Sequence, residues 1–343
     1  MPGTPAGLID RLLDEAQGTW FTGAVARVER GGALLYERAA GVTRADAGEP
    51  VYVDSRFDLA SITKLFVATL ALHEIARGSF GMDEPAARWI APWAGDEHAP
   101  ITPRMLLSHT SGMHSGADYR TLLDADVAAF ALERPLRAAP GTQVIYSDLG
   151  MIALGVLLER VRGRALPERI RWFERASLGF RPQARERTRI PATENDGWRG
   201  RVQGVVHDEK AYLMGGVAGH AGLFGTAADV AAMTEIFLAA ACGRAQKRLP
   251  GELAREAVVC AADDPVLRRG WGWALKTSDQ NSCGARFGPR SFGHTGFTGT
   301  CVWADPDRDL QGVLLTNSVY FGREDSRPLR AAFYDAVIES FGA

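Results

Sequence analysis

Only four of the 39 basic residues in this 343-residue chain are lysines, namely Lys64, Lys210, Lys247 and Lys276, and arginine carries the rest of the positive charge. Arginine does not give up its proton, whereas a desolvated lysine can, so a proton-accepting amine would have to be one of these four. Cysteine is sparse as well: Cys242, Cys260, Cys283 and Cys301 lie 18 or more residues apart. No paired Cys or His spacing could clip a zinc ion, and isolated thiols pack as small hydrophobes in a reducing compartment, which predicts a cytoplasmic protein. No apolar run reaches the roughly 18 residues of a membrane span, and MPGTPAGLIDRLLDEAQGTW is not a basic start followed by an apolar stretch. The formal net charge is only −2, so no global field recruits nucleic acid or an anionic membrane. Gly-x-Ser-x-Gly, His-Glu-x-x-His and phosphate-loop motifs are absent too, and no metal or other cofactor is implied.

What is present is ordinary globular composition, 46% hydrophobic and 23% charged, enough to bury a sizeable core. Leu8, Leu12 and Leu13 among interleaved acids predict an amphipathic first helix. FTGAVARVERGGALLYERAAG alternates about Gly31-Gly32 as a two-strand hairpin does. Between Ile62 and Leu72 the chain is almost wholly apolar, which predicts a helix buried nearly all round. Helical patterns continue to about residue 180. Residues 181–215 are polar and irregular and read as a long excursion loop, of the kind that often carries function. Thr226-Ala227-Ala228-Asp229 predicts a capping box for a further helix. WGWAL, SFGHTGF, GTCVWADP and LQGVLLTNSV read as strands, and RPLRAAFYDAVIESF as a closing helix. Strands at both ends and helices between them predict an α/β (α+β) fold, an antiparallel sheet from both chain ends flanked by helices, with an inserted mainly helical domain. The expected division is residues 1–60 plus 216–343 for the α/β part and 61–215 for the insert, within one catalytic unit.

Ser61 and Lys64 are three residues apart, which places them on one helix face with Cβ atoms about 5–6 Å apart. Burial and the positive end of the helix dipole both disfavour the ammonium and predict a lysine pushed toward neutrality. A neutral amine there takes the serine proton and makes a nucleophile. The same spacing also suits a capping serine beside a lysine that snorkels to the surface. Ser108-His109 resembles a serine–histidine pair, but adjacent side chains diverge, and it reads as the end of a short helix. His207-Asp208-Glu209 has no partner at metal spacing and reads as loop surface. His220, in AGHAGLF, suits a cleft position and a core position equally.

Two further segments extend the pattern: PGTQVIYSDLGMIALG, with Tyr146-Ser147-Asp148 before a helix, and SFGHTGFTGT, with His294-Thr295-Gly296 at the end of a strand. With FDLASITK, LLSHTSGM and GGVAGHAGLF, they resemble the serine β-lactamase and penicillin-binding-protein superfamily from about Gly23 to Val319. The likeness is to its class C branch, the family VIII esterases and the D-aminopeptidase-like hydrolases. It implies that Ser61 is the acylating nucleophile, Lys64 its base, and Tyr146 the group that shuttles a proton to the leaving group. It also implies a substrate edge at Thr295 and Gly296, and an oxyanion hole from the backbone N–H groups of Ser61 and Phe297.

Two residues depart from the family pattern. Asp148 replaces the usual asparagine, so an amide donor becomes an acceptor or a helix N-cap and adds negative charge to the cleft. His294 replaces a lysine, and a histidine only partly charged near neutral pH weakens carboxylate recognition. Lys276-Thr277-Ser278 lacks the glycine that would let a substrate approach the strand and is set aside. The implied activity is hydrolysis of a small ester or amide through an acyl-serine, carboxylesterase-like. The alternatives are a β-lactamase or D-amino-acid peptidase acting on cell-wall fragments, and a penicillin- or muropeptide-binding sensor that acylates and stalls.

Overall fold

Pairing between the two ends of the chain organises the molecule. The computed structural model describes residues 6–116, 119–123, 126–266, 268–278 and 281–342. Strands β1 (Gly23–Arg30) and β2 (Ala33–Gly41) form the expected hairpin around Gly31-Gly32. On its other side β1 pairs antiparallel with β11 (Leu310–Thr316), from Ala24 opposite Thr316 to Arg30 opposite Leu310. The sheet continues through β10 (Cys301–Asp305) and β9 (Phe292–Thr295) to β8 (Ala274–Leu275), in the order β2-β1-β11-β10-β9-β8. Every neighbouring pair is antiparallel. The segment WGWAL contributes only two residues to β8, shorter than its apolar pattern suggests.

Strand β11 is buried along its whole length because both faces of the sheet are covered. One face carries α1 (Gly7–Ala16) and α10 (Arg327–Phe341), whose Ile9, Leu13, Phe333, Tyr334 and Val337 pack together against the sheet. The buried stripe of α1 runs through Ile9, Leu13 and Ala16, one position off the predicted leucine face. The other face carries α8 (Ala227–Ala241), against β1, β10 and β11. Its start is the expected capping box: Thr226 Oγ1 accepts from the Asp229 N–H, and Asp229 Oδ2 accepts from the Thr226 N–H. Each large apolar side chain buried in such a layer contributes about 1.5–3 kcal/mol.

Between β2 and α8 the chain is mainly helical, with α2 (Thr63–Ala76), α3 (Pro103–Leu107), α4 (Val127–Glu133), α5 (Asp148–Arg162) and α6 (Leu166–Arg169). Helix α2 is buried on nearly every side and packs on α5. Residues 181–215 are more ordered than a bare loop. They hold a 3₁₀ turn at Ala184–Arg189, a two-strand ribbon of β5 (Asn195–Asp196) and β6 (Gly200–Arg201), and α7 (Glu209–Leu213). A second small sheet joins β3 (Phe57–Asp58) and β4 (Gly179–Phe180) to opposite sides of β7 (Leu223–Gly225). Beyond α7 the backbone lies directly on α5: a Cβ at Gly219 would stand 2.0 Å from the Met151 carbonyl oxygen. Only glycine fits that approach. Helix α9 (Gly251–Ala257) packs beside α8. Among the described residues, no helix is long and apolar enough to cross a membrane.

Asn317, at the exit of β11, ties the chain ends to the middle. Its Oδ1 accepts from the N–H groups of Thr22 and Gly23 (3.1 Å each), and its Nδ2 donates to Thr22 Oγ1 (2.8 Å) and the Ala192 carbonyl (2.6 Å). Removing this amide leaves several buried polar groups without partners, at about 1–3 kcal/mol each. Asn317→Ala is therefore expected to lower unfolding stability by roughly 3 kcal/mol with an unchanged denaturant slope. Urea unfolding checks this, and a loss under about 0.5 kcal/mol would mean that the amide's bonds are redundant.

Candidate active site

Ser61 stands in a single 3₁₀ turn, Ala60–Ile62, that leads into α2. The turn is forced into shape from both sides. Ala60 has φ +45°, a left-handed conformation that costs a non-glycine residue about 1–3 kcal/mol. Asp58 offsets this cost, since Oδ1 accepts from the Ala60 N–H (2.9 Å) and Oδ2 from the His207 N–H (2.7 Å). Burial pushes the Asp58 pKa up, and those two N–H bonds pull it back. From the other side, Thr298 Oγ1 donates to the Asp58 carbonyl (2.8 Å) and Thr300 Oγ1 to the Leu59 carbonyl (3.1 Å). Gly296 fits between these groups because a Cβ there would lie 2.7 Å from the Leu59 carbonyl oxygen. The end of β9 is thus locked beside the nucleophile.

Lys64, one helical turn on, is 1% exposed. Its Nζ donates to Ser61 Oγ (2.8 Å) and to the His220 carbonyl (3.2 Å), and it pairs with Asp148 Oδ1 (2.8 Å). An ammonium has three donors, and three acceptors receive them. This corrects the expectation of a lysine biased toward neutrality. Burial does draw its pKa down, but the Asp148 carboxylate and Tyr146 more than offset that, and the net shift is upward.

Asp148 also departs from its expected role. The helix cap is Ser147, whose Oγ accepts from the Gly150 N–H (3.0 Å), so Asp148 is free to face Lys64. Its second oxygen meets Lys210 Nζ at 3.2 Å. Burial opposes ionisation, yet Lys64, His220 and Lys210 hold this carboxyl well below the usual range. It lies beneath the cleft as the counter-ion of two lysines and presents no free negative charge to a substrate.

The segment around Asp208, expected as loop surface, is instead part of the same network. Asp208 caps α7 by accepting from the Ala211 N–H, and it meets Lys210 (3.1 Å) and His220 Nε2 (2.7 Å). Asp148, Asp208 and His220 bring three possible ligand atoms within 4.8 Å of one another. The Lys210 ammonium already bridges the two carboxylates that a metal ion would need. His220 is buried, and its imidazole faces Asp208 while its carbonyl serves Lys64.

Tyr146 lies above Lys64, with Nζ 5.0 Å from its ring centroid. His109 positions it from both sides. The His109 carbonyl accepts from the Ile145 N–H (2.8 Å), its Nδ1 accepts from the Ser147 N–H (3.2 Å), and its ring packs 4.7 Å from that of Tyr146. Burial, with Arg269 and Lys64 nearby, keeps the His109 pKa well below its ordinary value, so Nδ1 remains an acceptor. Ser108-His109 does end α3, as expected, but the histidine also holds the tyrosine.

His294, on β9, is buried, and its Nδ1 is 2.8 Å from the Thr295 carbonyl. Burial, then Arg269 and Lys64, push its pKa down to about 3. It is therefore neutral at pH 7 rather than partly charged. With the proton on Nδ1, Nε2 is an acceptor and has no partner among the described residues. Ser61, Tyr146, His294, Thr295, Gly296 and Phe297 together line a cleft of about 750 Å³. Phe297 is 53% exposed at its rim and stacks on the buried His207. Lys276 is tied to the Ala285 and Phe287 carbonyls, away from the serine.

The site therefore brings together Ser61, Tyr146, His294, Thr295, Gly296 and Phe297, with Lys64 and Asp148 below the cleft floor. Sequence reasoning missed Asp58, Thr298, Thr300 and Lys210. Only Asp58 left a signal, an acidic residue placed two positions before a strained backbone as in an Asx turn.

A family model described as Beta-lactamase matches residues 9–336. The chain is 30% identical to Esterase EstB of Burkholderia gladioli, over 97% of this chain and 95% of that protein. It is 28% identical to N-acetylmuramyl-L-alanine amidase of Bacillus subtilis (strain 168), over 90% of this chain and 80% of that one. Among solved structures, EstCE1, a hydrolase with promiscuous acyltransferase activity, matches with a TM-score of 0.78 and 23% identity, over 97% of this chain and 98% of that one.

If Lys64 must lose its proton before it can activate Ser61, covalent labelling of Ser61 by a fluorophosphonate should accelerate as pH rises into the alkaline range. Asp148→Asn removes the carboxylate that holds the proton, so the rising limb should move to lower pH. Labelling rates from pH 5 to 11 check this. An unmoved limb in Asp148→Asn would separate the ion pair from serine activation.

Proposed function

Because the chain belongs to the β-lactamase family, we propose that it is a serine hydrolase that cleaves small carboxylic esters through an acyl-enzyme on Ser61. The observation that carries this reading is the 2.8 Å contact between Ser61 Oγ and the buried Lys64 Nζ at the floor of an open cleft. As Oγ attacks the substrate carbonyl, its proton passes to Lys64 in the free-base form. Asp148 then stabilises the ammonium that results. The carboxylate thus makes Lys64 a stronger base while reducing the fraction of free base at rest. The carbonyl oxygen becomes an oxyanion beside the N–H groups of Ser61 and Phe297, each worth about 3–4 kcal/mol when aimed at that charge. Lys64 returns the proton through the Tyr146 hydroxyl to the departing alkoxide. Water then attacks the acyl-serine, its proton goes to Lys64, and the acid leaves as Ser61 regains its hydrogen.

Two points favour esters over amides. EstB, an esterase, is matched over nearly the full length of both chains. A neutral His294 also replaces the lysine of the family strand, and an alkoxide or phenolate departs more readily than an amine, which must be protonated to leave. The amidase relative supports a second reading, cleavage of an amide in a cell-wall fragment. A panel of p-nitrophenyl esters, D-aminoacyl anilides and a chromogenic cephalosporin separates the readings. The esters should be turned over fastest. A preference for the cephalosporin would make the protein a β-lactamase, and one-to-one labelling without turnover would make it a sensor.

Ser61→Ala should abolish fluorophosphonate labelling, with mass spectrometry locating the wild-type adduct on Ser61. Lys64→Arg should be nearly as damaging as Lys64→Ala, because arginine keeps the charge and cannot serve as base. Retention of more than about a tenth of wild-type kcat/KM in Lys64→Arg, a loss under about 1.4 kcal/mol, would make Lys64 structural.

A further inference from the structure

Two lysines from different helices share one carboxylate beneath the cleft. Asp148, at the start of α5, gives Oδ1 to Lys64 Nζ of α2 (2.8 Å) and Oδ2 to Lys210 Nζ of α7 (3.2 Å). Lys210 also meets Asp208 at 3.1 Å, and Asp208 meets His220 Nε2 at 2.7 Å. Lys210 does not line the cleft, so it acts on the reacting atoms only through Asp148. The other groups around Lys64 are Tyr146, with Arg269 beside its ring, the neutral His109 and His294, and the His220 carbonyl. Glu209, next to Lys210, pairs with Arg323 (3.2 Å).

To serve as a base, Lys64 has to pass through its neutral form. Were Lys64 the sole cation at Asp148, that step would leave a half-buried carboxylate with no counter-ion, which is costly. Lys210 stays beside Asp148 when Lys64 discharges. Its charge also disfavours the Lys64 ammonium, because like charges in one site promote loss of a proton. Lys210 meets two carboxylates and Lys64 one, so Lys64 is the lysine that discharges first. The carboxyl of Asp148 fits this arrangement: burial opposes its ionisation, and Lys64, His220 and Lys210 together more than reverse that.

We propose that Lys210 is a positioning residue for the acylation step, which keeps Asp148 ionised and opposes its pull on the Lys64 proton, so that more Lys64 stands as free base. The consequence for Ser61 rests on the reading of Lys64 as its base, whereas the effect on Lys64 does not.

The four lysines can be followed by carbon-13 at Cε, with Lys64 and Lys210 assigned from the signals lost in Lys64→Arg and Lys210→Arg. In the wild type Lys64 should titrate first. The Lys210 signal should shift at the same pH while remaining in the protonated position. Lys210→Gln keeps a hydrogen-bonding amide between the two carboxylates and removes the charge. It should move the Lys64 titration, and with it the rising limb of fluorophosphonate labelling, to higher pH by about one unit or more. Lys210→Arg keeps the charge and should leave the Lys64 labelling limb near its wild-type position. A residue that only braced the fold would change labelling alike at every pH and leave the limb in place. A Lys64 titration that stays put or falls in Lys210→Gln overturns the proposal. So does a wild-type Lys210 signal that does not respond as Lys64 titrates, a result that stands even if Lys210→Gln fails to fold. A Lys64 titration that moves as stated while labelling does not follow supports the action of Lys210 on Lys64. In that case the reading of Lys64 as the base of Ser61 fails alone.

Discussion

Three oxygens surround Lys64 Nζ, one each from Ser61, Asp148 and the His220 backbone, and each comes from a segment that the fold must deliver to that point. A buried ammonium without these partners would cost several kcal/mol and would shed its proton instead. The packing of α2 on α5, the cap at Ser147 and the close approach of Gly219 to α5 all position one of the three. Asp148 can reach Lys64 because the neighbouring serine takes the capping duty. Lys210 and Asp208 then complete an alternating set of charges that keeps two half-buried carboxylates ionised.

The same constraint divides the cleft by charge. Beneath the floor, Lys64 and Lys210 are matched by Asp148 and Asp208. His294 on the wall and His109, packed on Tyr146, are neutral, because burial and the neighbouring cations prevent protonation. The polarity of the site is therefore set by which groups have partners, and residue types alone would have given a different map.

Much of the fold was legible because its signals are local. The Gly31-Gly32 hairpin, the all-apolar α2 and the Thr226 capping box each follow from residues within one element, and each stands where the pattern placed it. The same holds for Ser61, Lys64 and Tyr146, whose spacings fix a face or a loop end. The charge state of Lys64 was not legible, because it depends on Asp148 crossing from another helix. Nor was the pairing of Asp208 with Lys210 and His220, since a polar excursion reads as surface until the chain folds back over α5. His294 was misjudged for a related reason: its titration answers to Arg269 and Lys64, neither of which lies near it in the chain.

The central claim is that Lys64 rests as an ammonium held by Asp148. With only four lysines in the chain, lysine labelled with carbon-13 at Cε gives few enough NMR signals for Lys64 to be assigned by its loss in Lys64→Arg. Titrating that signal tests the claim directly. It should stay in the protonated position beyond the pH at which an ordinary lysine titrates, and should titrate at lower pH in Asp148→Asn. A Lys64 already neutral at pH 7 in the wild type would contradict the account.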